Sequence, residues 1–107
     1  MSFQSYLEHI RSLAKEAGVD SLPIWITEAG FISQSANASG RTDQGSPEKQ
    51  AAWLVESFEH ALKSGVERIY WLLVRDRSEP YFGSMGLIDE SDHFKPAWKT
   101  FAKFLEK

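Results

Sequence analysis

Residues 22–30, LPIWITEAG, decide the fold. Leu22, Ile24, Trp25 and Ile26 form a short apolar run of the kind that suits a strand covered on both faces, and Pro23 stands where a strand begins. The run ends on Thr27 and Glu28, and the chain turns at Gly30. A carboxylate at the end of a buried strand is costly unless it is paired, hydrogen-bonded or used in chemistry. A second run, VERIYWLLV at 66–74, is apolar from Ile69 onward and reads as a second covered strand.

Around these strands the spacing is helical. Phe3, Leu7, Ile10, Leu13, Ala14 and Ala17 recur at three and four residues, so 2–17 is predicted as an amphipathic helix stopped by Gly18. Ser46 is an N-cap candidate, with Pro47 at the first helical position and Glu48 in the first turn. Ala51, Leu54, Val55, Phe58, Ala61 and Leu62 then give a second apolar stripe over 47–64, ended by Gly65. Pro96 opens a last helix, 96–106, carrying Ala97, Trp98, Phe101, Phe104 and Leu105. The predicted strands span 22–28 and 66–74. The order α-β-α-β-α makes one right-handed βαβ unit with two parallel strands, an α/β class. Two long loops, 29–46 and 75–94, leave the C-terminal ends of those strands, the edge where parallel α/β proteins bind ligands.

With 107 residues the chain is one domain in size. Its net charge of -3 leaves no basic footprint for nucleic acid. No apolar stretch approaches the ~20 residues of a membrane span. The absence of cysteine excludes disulfides, thiol nucleophiles and thiolate metal sites. His9, His60 and His93 lack metal-ligand spacing, and no phosphate-loop pattern occurs, so no metal or cofactor is expected. Ser33, Ser35 and Ser39 have no nucleophile-elbow context. Asn37-Ala38-Ser39 fits a glycosylation pattern, relevant only to a secreted eukaryotic protein. The first residues have no apolar signal segment, which points to the cytoplasm if the start is native.

PIWITEAG resembles the seventh strand of clan A glycoside hydrolases, a set of (β/α)8-barrel glycosidases in which Thr-Glu-x-Gly closes an apolar strand. VERIYWLLVRD is similar to their eighth strand, and GLIDESDHFKPAWKTFAKFLEK to their closing turn and helix. The resemblance spans nearly the whole chain. It implies a TIM-barrel fragment, with Glu28 matching the catalytic nucleophile of retaining β-glycoside hydrolysis and Trp71 the tryptophan flooring the sugar subsite. Asp76, Tyr81 and Phe82, in the second loop, are further candidates for contact with a carbohydrate. On the strand, Ile24, Ile26 and Glu28 share one face; if that face looks into a barrel, Glu28 emerges at its rim, with Trp71 beside it.

The pattern is also incomplete. Retaining hydrolysis needs two carboxylates about 5–5.5 Å apart. The clan's second glutamate follows an asparagine, and this sequence has no Asn-Glu pair. A barrel takes about 250 residues, and only two of eight strands are here. Asp76 and Glu79 stand past the second strand without spacing that marks a general acid, as solvated loop charges would. The chain is therefore expected to be inactive alone, and to self-associate or join a chain supplying the missing strands, because open sheet edges invite pairing. A carbohydrate-binding domain using Trp71, Tyr81 and Phe82, and a non-catalytic remnant, are the alternative readings.

Overall fold

The computed structural model describes residues 2–38 and 41–106. Ser39, in the glycosylation pattern, lies outside them. Helix α1 (Phe3–Glu16) is capped by Ser2, whose hydroxyl accepts from the Ser5 amide. Strand β1 (Trp25–Ala29) follows, then a small antiparallel hairpin of β2 (Ala36–Ala38) and β3 (Arg41–Asp43). Helix α2 (Pro47–Lys63) starts at Ser46, whose hydroxyl accepts from the Lys49 amide. Gly65, at φ 85°, reverses the chain after it. Strands β4 (Arg68–Trp71) and β5 (Leu73–Arg75) come next, then β6 (Gly86–Ile88) and helix α3 (Pro96–Leu105).

β1 and β4 pair in parallel, with Trp25 opposite Arg68 and Ile26 opposite Ile69. β5 pairs in parallel with β6. The fold is thus mixed α/β with parallel strands, as the periodicities imply. Hairpin β2–β3 and strand β6 lie inside loops that show no strand period in the sequence. They are three residues each, too short for alternation to register.

The helices cover one face of the β1–β4 sheet. Leu7, Ala61 and Val66 form a buried cluster onto which Phe3, Ile24, Ile26 and Ile69 pack. Leu54, Leu87 and Ala97 form a second, flanked by Trp71, Trp98 and Phe101. Phe58 sits between Trp71 and the rings of Phe101 and Phe104.

The other face is bare within this chain, as two strands taken from a larger barrel-like sheet would leave it. Trp25, Thr27 and Glu28 on β1, and Arg68 and Tyr70 on β4, are exposed. The molecule is a slab of 47 × 38 × 17 Å. Its radius of gyration, 15.0 Å, exceeds the ~13 Å of a compact domain near this length. One helical layer on one small sheet gives that shape.

Candidate active site at the end of strand β1

Ile24 and Ile26 turn toward the helices, so strict alternation would send Glu28 the same way. It does not go there. Between Ile26 and Ala29 the register slips by one residue: β1 advances three positions while β4 advances two, from Ile69 to Trp71. This bulge places the extra residue at Thr27–Glu28 and lets Ala29 take the buried position. Bulges re-aim side chains in this way and concentrate next to active sites. Glu28 is consequently exposed, and the expected common face of Ile24, Ile26 and Glu28 is corrected.

Glu28 lines an apolar cavity of about 460 Å³ at the free edge of β1, with Phe3, Tyr6 and Ile10 of α1 and Trp25 beside it. It is the only carboxylate among the described residues that line this cavity. Among the described residues it has no hydrogen-bond or ion-pair partner. An exposed carboxylate with no partner among the described residues is sterically free to approach a bound ligand.

The backbone beyond Glu28 is firmly held. Gly30 packs closely under the second loop: a Cβ there would stand 2.9 Å from the Met85 sulfur, so the methionine would have to shift. The fully buried Gln50 donates from Nε2 to the carbonyls of Phe31 (3.1 Å) and Gly86 (3.0 Å). Ser33 donates its amide to the Ser84 carbonyl at 3.1 Å and its hydroxyl to the same oxygen at 2.7 Å.

Lys95 completes this frame from the start of α3. Its ammonium donates to Asp76 (2.7 Å), the Ser33 hydroxyl (2.8 Å) and the Ser84 carbonyl (3.1 Å), which uses all three protons. Asp76 also accepts from the Gly86 amide at 2.8 Å. Asp76 and Lys95 are only 7% and 9% exposed. Asp76 is therefore an internal strut rather than a solvated loop charge. A charge this far from water is held because its partner's charge and two hydrogen bonds offset the desolvation.

Trp71 is also placed differently from the expected platform beside Glu28. It lies in the helix-facing row, edge-on to Trp53 and tilted against Phe58. Its indole N–H donates to the Met85 carbonyl at 2.8 Å. Trp71 is half-buried in this packing and does not line the cavity of Glu28. Tyr81 and Phe82 stack edge to face in the second loop, and the Tyr81 hydroxyl bonds Asp43 of β3. Neither lines the cavity of Glu28. The structure thus does not gather the five candidate residues into one site.

A separate polar cleft of about 440 Å³ opens among the loops after β1, β5 and β6, lined by Gln34, Arg77, Glu79 and Glu90, with Asp76 at its margin. Beside it, Asp89 accepts from the amides of His93 and Ser91. The His93 amide chiefly, and that of Ser91 after it, hold the Asp89 carboxyl below its ordinary value. No group of acidic or histidine side chains among the described residues is arranged to hold a metal.

A family model described as the glycosyl hydrolase catalytic core matches residues 1–101. The chain belongs to that glycosyl hydrolase family. Its fold also matches an active-site mutant of Rhizomucor miehei beta-1,3-glucanosyltransferase in complex with laminaritriose. The TM-score is 0.64 at 15% identity, over 90% of this chain and 35% of that one. At that identity the likeness is one of fold, and this glycosyl hydrolase chain corresponds to about a third of the solved protein's length. No curated protein matches the sequence.

Gln50, Lys95, Ser33 and Ser84 escape sequence reasoning. A lone glutamine in a helix, or a lysine before a proline, has no local pattern that marks it as buried. Trp25 and Tyr70 escape it for another reason. Alternation defines two rows on each strand but does not say which row meets the helices.

Proposed function

We propose that this chain carries the nucleophile half of a retaining β-glycosidase site, with Glu28 as the attacking carboxylate. The observation that supports it most is the bulge, which turns Glu28 out of the buried row and leaves it exposed, with no partner among the described residues, at the C-terminal end of a parallel strand. In retaining hydrolysis such a group attacks the anomeric carbon while a second carboxyl protonates the departing oxygen, and water then releases the glycosyl ester. The substrate is a β-glycoside.

No second carboxylate among the described residues faces Glu28 in its cavity. The proton donor is therefore supplied by strands beyond β1 and β4, from another chain or a longer one. Residues 1–107 alone do not hydrolyse substrates whose leaving group needs a proton. Trp71 contributes by fixing β4 against α2 and α3, not by stacking on sugar. The test is covalent trapping: an activated fluorinated glycoside should label Glu28, and Glu28→Gln should abolish the label.

A further inference from the structure

The polar cleft of about 440 Å³ opens where three loops meet, and it shares no lining residue with the cavity of Glu28. Gln34 comes from the loop after β1, Arg77 and Ser78 from the loop after β5, and Glu90 and Ser91 from the turn after β6. These five side chains are exposed and make no bond among the described residues. Their backbones are nonetheless fixed. The Gln34 amide donates to the Ser84 hydroxyl at 3.3 Å, the Arg77 amide to the Gly83 carbonyl at 2.9 Å, and the Ser91 amide to Asp89 at 2.8 Å.

Asp76 is the one deeply buried acid that lines the cleft. Lys95 and the Gly86 amide both bond its Oδ1. Its Oδ2 takes no bond among the described residues. Nor is it sealed from solvent, since the described side-chain atoms both sealed and unpartnered are Arg11 Nε and Gln50 Oε1. That oxygen is therefore open where Asp76 lines the cleft. A carboxylate already held by a buried ion pair needs no further ordering when a ligand arrives, so a bond to its free oxygen carries little entropic cost.

The free groups call for a ligand that both donates and accepts. Asp76 and Glu90 only accept, Arg77 only donates, and Gln34, Ser78 and Ser91 do both. Glu79, Asp89 and Glu90 outnumber Arg77, while Lys95 offsets Asp76, so an anion meets a repulsive rim. Among the described residues no aromatic ring lines the cleft, which leaves an apolar ligand little to cover. The volume falls within the ~300–1,000 Å³ of small-molecule sites. We infer that the cleft holds a sugar unit of a neutral glycan, one hydroxyl donating to Asp76 Oδ2 while Arg77 and Gln34 bond its neighbours. The inference rests on the glycosidase reading for the class of ligand, and not on Glu28 being the nucleophile.

Amide NMR with cellotriose, a neutral β-linked trisaccharide, tests it. Titration to tens of millimolar should shift the amides of Arg77, Gly86 and Ser91 and reach saturation. Arg77→Ala and Gln34→Ala, on the exposed walls, should each weaken binding at least threefold with the urea midpoint unchanged. Asp76→Asn keeps an acceptor for Gly86 and turns a donor to the cleft. It should weaken binding at least tenfold if its spectrum stays folded, and the wall variants decide if it does not. No saturable shift, or shifts unaltered in both wall variants, would overturn the inference. So would the same amides responding to spermidine or inorganic phosphate but not to cellotriose. Trapping at Glu28 is read separately: a label without cleft binding refutes the sugar site alone, and cleft binding without a label refutes the nucleophile alone.

Discussion

Replacing Lys95 by methionine should be among the most damaging single changes in this chain. The methionine fills much the same space but leaves Asp76 charged, buried and facing one remaining donor, the Gly86 amide. It also strips a donor from the Ser33 hydroxyl and the Ser84 carbonyl. Breaking a buried pair from one side costs about 3–5 kcal/mol, because the surviving charge has lost both water and partner. A domain of this size holds about 5–15 kcal/mol in total. With a urea slope of about 1–2 kcal/mol/M, the midpoint should fall by about 2 M or more. Urea unfolding followed by tryptophan fluorescence and circular dichroism measures the shift. The double variant Asp76→Asn/Lys95→Met removes the stranded charge and keeps an acceptor for Gly86, so it should regain at least about 1 kcal/mol. A loss under ~1 kcal/mol for Lys95→Met, the size of an exposed ion pair, would refute the strut.

The same loops yield two more expected outcomes. Gly86→Ala should destabilise by roughly 1–3 kcal/mol, since its Cβ would stand 2.4 Å from the Asp76 amide nitrogen and 2.6 Å from the carboxylate that receives Lys95; thermal melts read this. Asp89 supplies a pH dependence: its folded carboxyl titrates below the ordinary 3.8, so its contribution is complete above that value and is lost as pH falls through the lower one. The amide resonances of Ser91 and His93 should track that single titration, and Asp89→Asn should abolish it.

The sequence disclosed the fold class because the determining signals are local. Helical stripes of Leu7 and Ile10, or of Leu54 and Phe58, repeat over several turns, and Ser46-Pro47 and Gly65 mark ends by backbone chemistry. Two apolar runs separated by one helix leave little but a parallel βαβ unit. The site was only partly legible. Glu28 stood out because a carboxylate closes an apolar run. Its actual direction depends on a bulge of one residue, and TEAG carries no glycine or αL residue at Thr27–Glu28 to announce it. Which row of each strand meets the helices is likewise set by tertiary packing. Ile24, Ile26, Ile69 and Trp71 won that contact, leaving Trp25 and Tyr70 outside. The Lys95–Asp76 strut joins residues 19 apart and draws in Ser33 from 62 residues away, a separation at which no periodicity operates.

The most direct test of the central claim is mass spectrometry after incubation with a fluorinated aryl β-glycoside whose dinitrophenolate leaves without protonation. The fluorine slows release of the glycosyl ester, and the leaving group removes the need for the absent acid. The account predicts one glycosyl adduct, mapped to the peptide containing Glu28 and missing from Glu28→Gln, together with no turnover of unactivated β-glycosides. An adduct on another residue, none at all, or Glu28-dependent turnover of an unactivated glycoside would contradict it.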